Sequence, residues 1–151
     1  MSLTIVVGIQ IGDEGKGRLV DYLVSTLKPS AVARFQGGNN AGHTVIVEDK
    51  VYKLHYLTSG LPSGIISLLG NGMVINPIAL VKEIEENNAW DKVLVSKNAH
   101  VTLPEHIEDD IANSQVKIGT TSKGIGPTYR DKFARTGIRF TDLLVQTRSF
   151  N

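Results

Sequence analysis

The sequence contains no cysteine, so a disulfide framework, a thiolate metal centre and a cysteine nucleophile are all excluded, and any metal must be held by oxygen or nitrogen. An excess of charge of one sign is missing too: 16 Lys and Arg stand against 15 Asp and Glu, a formal net charge of +1. That balance offers no footprint for duplex nucleic acid or an anionic membrane, and it leaves room only for local anion sites. No stretch approaches the roughly 18 consecutive apolar residues of a membrane span, and the opening MSLTIVVGIQ lacks the basic region of a signal peptide. The expectation is a cytoplasmic protein with no membrane partner and no nucleic-acid partner. Repeats, linkers and low-complexity tracts are also absent, so the 151 residues read as one soluble domain. What is present is glycine, 15 residues gathered into a few segments.

Leu3-Thr4-Ile5-Val6-Val7 is a β-branched apolar run that reads as a strand buried on both faces, as in a parallel sheet. A glycine loop, residues 8–17, follows it, and then comes a helical pattern in which Leu19, Val20, Leu23 and Leu27 share one face. Lys28-Pro29-Ser30 ends that helix, and residues 31–35 read as a second strand, completing a βαβ unit. A second glycine loop, residues 36–44, leaves the end of that strand. A hairpin is expected across Glu48-Asp49-Lys50, and a third buried strand over 65–69 ending at Gly70. A helix is expected from Pro77 to about Asn87, a strand at 93–95, weak helix over 106–114, a third glycine loop at 119–127 and a helix over 128–135. The predicted fold is α/β, a mostly parallel sheet flanked by helices.

Ligands of open α/β sheets bind beyond the carboxyl ends of the strands, so the first two loops are expected to face one site. Glycine lets backbone N–H groups approach a phosphate, the following helix presents its positive end, and Lys16 adds a mobile charge. The usual phosphate loop is G-x-x-x-x-G-K-[S/T]; here Gln10 replaces its first glycine and Gly17 stands where a magnesium-binding hydroxyl is expected. Asp13 supplies an oxygen that could bind Mg²⁺ or act as a base. His43, after Ala41 and Gly42, presents an imidazole suited to donating a proton to an oxygen gaining charge. His55, His100 and His106 lie outside the glycine loops and read as structural or surface residues. Thr120 and Thr121 offer hydroxyls to a phosphate, and Arg135 and Arg139 belong to a basic stretch with Arg130 and Lys132.

Three segments, residues 10–17 (QIGDEGKG), 37–44 (GGNNAGHT) and 118–127 (IGTTSKGIGP), closely resemble signature segments of the adenylosuccinate synthetase family, in the family's order. Similarity continues through Ser59-Gly60, Gly70-Asn71-Gly72, Asp131-Lys132 and Asp142-Leu143. Ile11 stands where the family usually has Trp, and Thr58 where it has Pro. The resemblance implies a sheet like that of phosphate-loop nucleoside triphosphatases and the GTP-dependent joining of IMP and L-aspartate. Asp13 would take the N1 proton of IMP so that O6 attacks the γ-phosphate, and His43 would donate to the phosphoryl group. Mg²⁺ would be held by Asp13 and the carbonyl of Gly42. GTP would lie along Gly12, Asp13, Glu14, Gly15, Lys16, Gly17 and Arg18 and along Gly42, His43 and Thr44. IMP would meet Asp13, Glu14, Gly15 and Lys16, Asn40, Ala41, Gly42 and His43, and Thr121 at its phosphate. Arg135 would reach IMP in a neighbouring subunit, which implies a homodimer.

The resemblance also implies that residues 1–151 correspond to the N-terminal part of the family's single domain, because the guanine-reading motif, the aspartate loop and further arginines of the family have no counterpart here. The chain by itself is therefore expected not to complete the reaction. Two other readings stand beside this one: a phage-type relative that uses dGMP to make a 2-aminoadenine nucleotide precursor, and a nucleotide-binding module without ligase activity.

Overall fold

The structure, a computed structural model, describes residues 2–10, 14–114 and 120–148. Helix α1 (Lys16–Leu27) starts behind Gly15, whose φ of 76° is the left-handed conformation that glycine adopts without strain, and it ends at Lys28, ahead of Pro29. Strand β1 (Ala31–Gly37) follows, then an antiparallel hairpin of β2 (His43–Val47) and β3 (Lys50–Leu54). The hairpin turn places both Glu48 and Asp49 at positive φ, the twist that two-residue hairpins favour. Strand β4 (Ile66–Ile75) pairs in parallel with β1 on one side, and β5 (Val93–Val95) and β6 (His100–Val101) also run parallel to it. Helix α2 (Pro77–Glu86) makes the crossover from β4 to β5; Asn76 caps it by accepting from the Ala79 N–H at 3.1 Å, with Pro77 at the first helical position. Helices α3 (Pro104–Ser114) and α4 (Ile125–Ala134) pack on each other, and α5 (Phe140–Arg148) follows. The chain is thus an α/β fold built on a parallel sheet flanked by helices.

The core lies between β4, α2 and the segment leaving the hairpin: Leu54, Tyr56, Leu57, Leu69, Met73, Ile75, Leu80 and Ile84 pack there. Tyr56 is fully buried, its hydroxyl accepts from the Asn76 N–H at 2.8 Å, and burial pushes its phenol up to about 12.

Three expectations need correction. Residues 2–8 form no strand, and Leu3, Ile5 and Val7 are 84%, 70% and 63% exposed. Their β-branched composition supplies propensity, but a strand persists only on a neighbour's ladder, and no pairing of this segment exists among the described residues. The expected βαβ unit at the start of the chain is therefore not formed. Second, β4 does not stop at Gly70 but runs through Gly70-Asn71-Gly72 to Ile75. Those glycines serve close approach: a Cβ on Gly72 would lie 2.3 Å from the Phe35 carbonyl oxygen, where the register with β1 shifts. Third, α1 buries Val24, whereas Leu19 and Leu27 of the expected apolar face are exposed.

Candidate functional site

A cavity of about 1120 Å³ runs along β1 to its carboxyl end. Glu14, Gly15, Lys16, Gly17 and Arg18 of the first loop line it, and Asn40, Ala41, Gly42 and His43 of the second loop face them. Arg34 and Phe35 of β1 contribute, as do His55, Leu57, Thr58 and Ser59 beyond the hairpin. The two glycine loops therefore share one cavity, one leading into α1 and the other leaving β1.

His43 lies across the first turns of α1. Its Nε2 is 2.6 Å from Asp21 Oδ2, and its ring sits against Gly17, where a Cβ would come within 2.7 Å of Nδ1. Gly17 and Asp21 are one helical turn apart, on one face, so a bare backbone and a carboxylate receive the imidazole together. This explains the departure from the usual phosphate loop: a Ser or Thr at 17 would collide with His43. Asp21 was not evident as a site residue from sequence, where it reads only as a polar residue away from the apolar stripe. The carboxylate fixes the ring's orientation.

In the first loop the Glu14 carboxylate pairs with the Lys16 ammonium and accepts from the Gln10 N–H at 3.1 Å. The Lys16 partner holds the Glu14 carboxyl below the usual carboxylate range. Gly12 and Asp13 lie outside the described residues. Among the described residues no three His, Asp or Glu side chains converge on a metal position. Gly42 stands on the cavity wall, and a backbone carbonyl is an oxygen of the kind a hard cation takes; Asp21 Oδ1 and Asn39 Oδ1 are buried without a hydrogen-bond partner, but neither residue lines the cavity. So sparse a protein contribution fits Mg²⁺ that draws most of its shell from phosphate oxygens.

The second loop is anchored from outside. Arg34 donates to the carbonyls of Gly38, at 2.7 Å, and of His55; Tyr129 Oη accepts from the Gly37 N–H at 2.8 Å and donates to the Gly72 carbonyl at 2.8 Å. Burial draws the Arg34 guanidinium below its usual value, and Glu83 acts in the opposite direction. Glu83, itself buried on α2, accepts from the N–H groups of His55, Tyr56 and Leu57 at 2.7, 2.9 and 3.1 Å. His55, which reads from sequence as a structural or surface residue, stands on the cavity wall.

The third loop is not part of this wall. Thr120 Oγ1 donates to Asp110 Oδ1 at 2.7 Å and the Gly124 N–H donates to Asp110 Oδ2 at 2.9 Å, while Thr121 is exposed and does not line the cavity. It abuts the second loop through Ile125, whose Cδ1 would lie 2.3 Å from a Cβ on Gly38. Thr44, on β2, also lies off the wall, and Arg135 is exposed at the end of α4 with φ 63°. The rest of the basic stretch is engaged: Arg130 with Asp109 and Asp131, Lys132 with the Asn71 carbonyl, Arg139 with Asp142. His106 is a core residue that accepts from the Leu103 N–H through Nδ1 and faces Asp131 through Nε2.

The sequence profile of the adenylosuccinate synthetase family matches residues 5–151. The chain is 51% identical over 154 residues to adenylosuccinate synthetase of Streptococcus sanguinis and 49% identical over 157 residues to that of Lysinibacillus sphaericus, covering 95% of this chain and 35% of each relative. The fully ligated adenylosuccinate synthetase of Plasmodium falciparum has a similar structure, with a TM-score of 0.79 and 42% identity over 88% of this chain and 33% of that one. Succinoaminodeoxyadenylate synthetase of cyanophage S-2L, bound to dGMP and to dATP as an energy donor, gives 0.69 and 31% identity over 82% of this chain and 36% of that one. The chain spans about a third of the length of the curated relatives it matches.

Proposed function

The chain belongs to the adenylosuccinate synthetase family, and from that premise we propose that it serves the GTP-dependent joining of IMP and L-aspartate to adenylosuccinate, with GDP and phosphate as the other products. On this reading residues 1–151 form one part of a single synthetase domain working in the cytoplasm. The observation that carries the proposal is the shared cavity of the two glycine loops, with His43 seated on Gly17 and Asp21. Asp13 takes the N1 proton of IMP, O6 attacks the γ-phosphorus, and GDP leaves. His43 donates to the phosphoryl oxygens as charge builds there, and the aspartate amine then displaces phosphate from C6. Phosphoryl transfer of this kind asks chiefly for positioning and charge neutralisation.

The GTP phosphates lie along Gly12, Asp13, Glu14, Gly15, Lys16, Gly17 and Arg18 and along Gly42, His43 and Thr44. IMP lies against Asp13, Glu14, Gly15 and Lys16 and against Asn40, Ala41, Gly42 and His43. Asp13 and the Gly42 carbonyl would hold Mg²⁺, which would supply charge neutralisation for the transferring phosphoryl group. Lys16 exchanges its present partner Glu14 for a phosphate oxygen. Thr121 takes the IMP phosphate from beyond the cavity wall, and the exposed Arg135 reaches the IMP of a second subunit in a homodimer.

Calorimetric titration of the chain with Mg²⁺·GTP and with IMP tests the reading. Saturable binding of both is expected, and absence of binding to either removes it. The likeness to the cyanophage enzyme makes dGMP the natural third titrant; dGMP binding tighter than IMP would transfer the assignment to the phage-type reaction. Binding without formation of adenylosuccinate by a longer protein that contains this chain would leave a nucleotide-binding module.

A further inference from the structure

The second glycine loop cannot hold itself in place. Gly37, Gly38 and Gly42 have no side chains and Ala41 has a methyl, so the conformation of the backbone that carries His43 must be imposed by neighbours. Three side chains supply polar contacts along it: Tyr129 at the Gly37 N–H, Arg34 at the Gly38 carbonyl, and His55 at the Ala41 carbonyl, 3.3 Å from Nδ1. We infer that His55 is a positioning residue, which fixes the Ala41–Gly42 peptide and through it the place of His43 against α1.

The carbonyl is an acceptor only, so Nδ1 carries the hydrogen in this contact. Because the peptide is planar and trans, turning the Ala41 carbonyl toward His55 turns the Gly42 N–H to the opposite side. The ring also lies flat enough against Gly42 that a Cβ there would be 3.2 Å from Cε1, so it limits that residue sterically as well. His55 is itself well fixed. It follows Leu54, which pairs with His43 in the hairpin; its N–H donates to Glu83 at 2.7 Å and its carbonyl accepts from Arg34. Arg34 thus joins the two sides, the start of the loop and the residue that holds its end. Tyr129 and Arg34 are tied into the fold at other points, whereas the exposed His55 ring touches the loop, and this makes His55 the residue to vary. The expected effect on nucleotide affinity rests on the function proposed above.

The test compares the unaltered chain with His55→Ala, which removes the donor, and His55→Asn, whose amide nitrogen occupies the place of Nδ1. In the ligand-free chain, nuclear Overhauser contacts between the Gly17 α-protons and the His43 ring are expected to weaken several-fold in the alanine variant and to return in the asparagine variant. Affinity for Mg²⁺·GTP is expected to fall about tenfold with alanine, the worth of one good hydrogen bond, and to recover with asparagine. Unfolding transitions of the three proteins should coincide. Retention of the Gly17–His43 contacts in His55→Ala, or an asparagine variant that behaves like alanine, overturns the inference. If the unaltered chain binds no Mg²⁺·GTP, the proposed function fails and the ligand-free contacts alone decide the role of His55.

Discussion

Gly17 leaves a space that the His43 ring fills. An added methyl would stand 2.7 Å from Nδ1 and 3.0 Å from Cγ, well inside van der Waals contact, so Gly17→Ala must push the imidazole off α1 and away from Asp21. The helix itself gains up to about 1 kcal/mol from such a change. The expected outcome is a variant at least as resistant to urea as the parent but with Mg²⁺·GTP affinity reduced tenfold or more; unchanged affinity by calorimetry would refute the packing argument. At Tyr56 the hydroxyl serves as acceptor for a buried N–H, so Tyr56→Phe should cost about 1–2 kcal/mol in urea unfolding at neutral pH. Because the folded phenol is raised from 10 to about 12, its contribution is complete below pH 10 and is lost as pH climbs toward 12. The phenylalanine variant should therefore lose less stability than the parent across that interval. The residues of the glycine-loop motifs could be read from sequence because their chemistry is encoded in consecutive positions. Asp21, Arg34 and His55 could not, since each acquires its role from a partner brought near only by folding, as His43 and Asp21 are across 22 positions.

Strand β4 shows how an element's sequence can mislead. Gly70 and Gly72 look like terminators, yet they keep β4 close to β1 at the register shift between Arg34 and Gln36. A methyl at 72 would meet the Phe35 carbonyl at 2.3 Å, a backbone atom that cannot swing aside. Gly72→Ala is thus expected to destabilise by about 1–3 kcal/mol, measured by denaturant titration; a neutral result would mean that the two strands part without penalty. Helix α2 was readable to within a few residues because proline, capping and apolar periodicity agree there. The first strand was misread because propensity without a partner decides nothing. At the β6–α4 junction Lys132 Nζ lies 3.2 Å from His100 Nδ1, and burial, with help from Lys132 and Arg139, holds the His100 imidazole below its usual 6.5. A depressed histidine favours the folded state while it is neutral, so this contribution is present above pH 6.5 and declines as pH falls below it. His100→Gln should flatten stability between about pH 7 and 5 relative to the parent; parallel pH profiles would exclude His100 as the source.

Over the whole molecule the notable property is apolar surface left in water: Leu3, Ile5, Val7 and Ile9 along one terminus, and Phe35 and Phe133 elsewhere, are all more than half exposed. Apolar side chains exposed in this number favour association. Sedimentation should reveal concentration-dependent self-association of the chain, and Ile5→Lys with Val7→Lys should diminish it without lowering the unfolding midpoint. An unaltered distribution of species would place the contact elsewhere, with Phe133 beside Arg135 as the next face to vary. The sheet pairs Ala31 with Ile66, Ser67 with Val93 and Val74 with His100, so each of its ladders closes a loop of some tens of residues. Such non-local pairings form late and slowly, because the chain entropy is lost before the contacts return anything. The cavity hangs on the first of those ladders. On the proposed function a nucleotide would find it only on chains that have already completed their slowest step, and in a refolding experiment the appearance of binding should lag behind helix formation and coincide with the final recovery of β-structure.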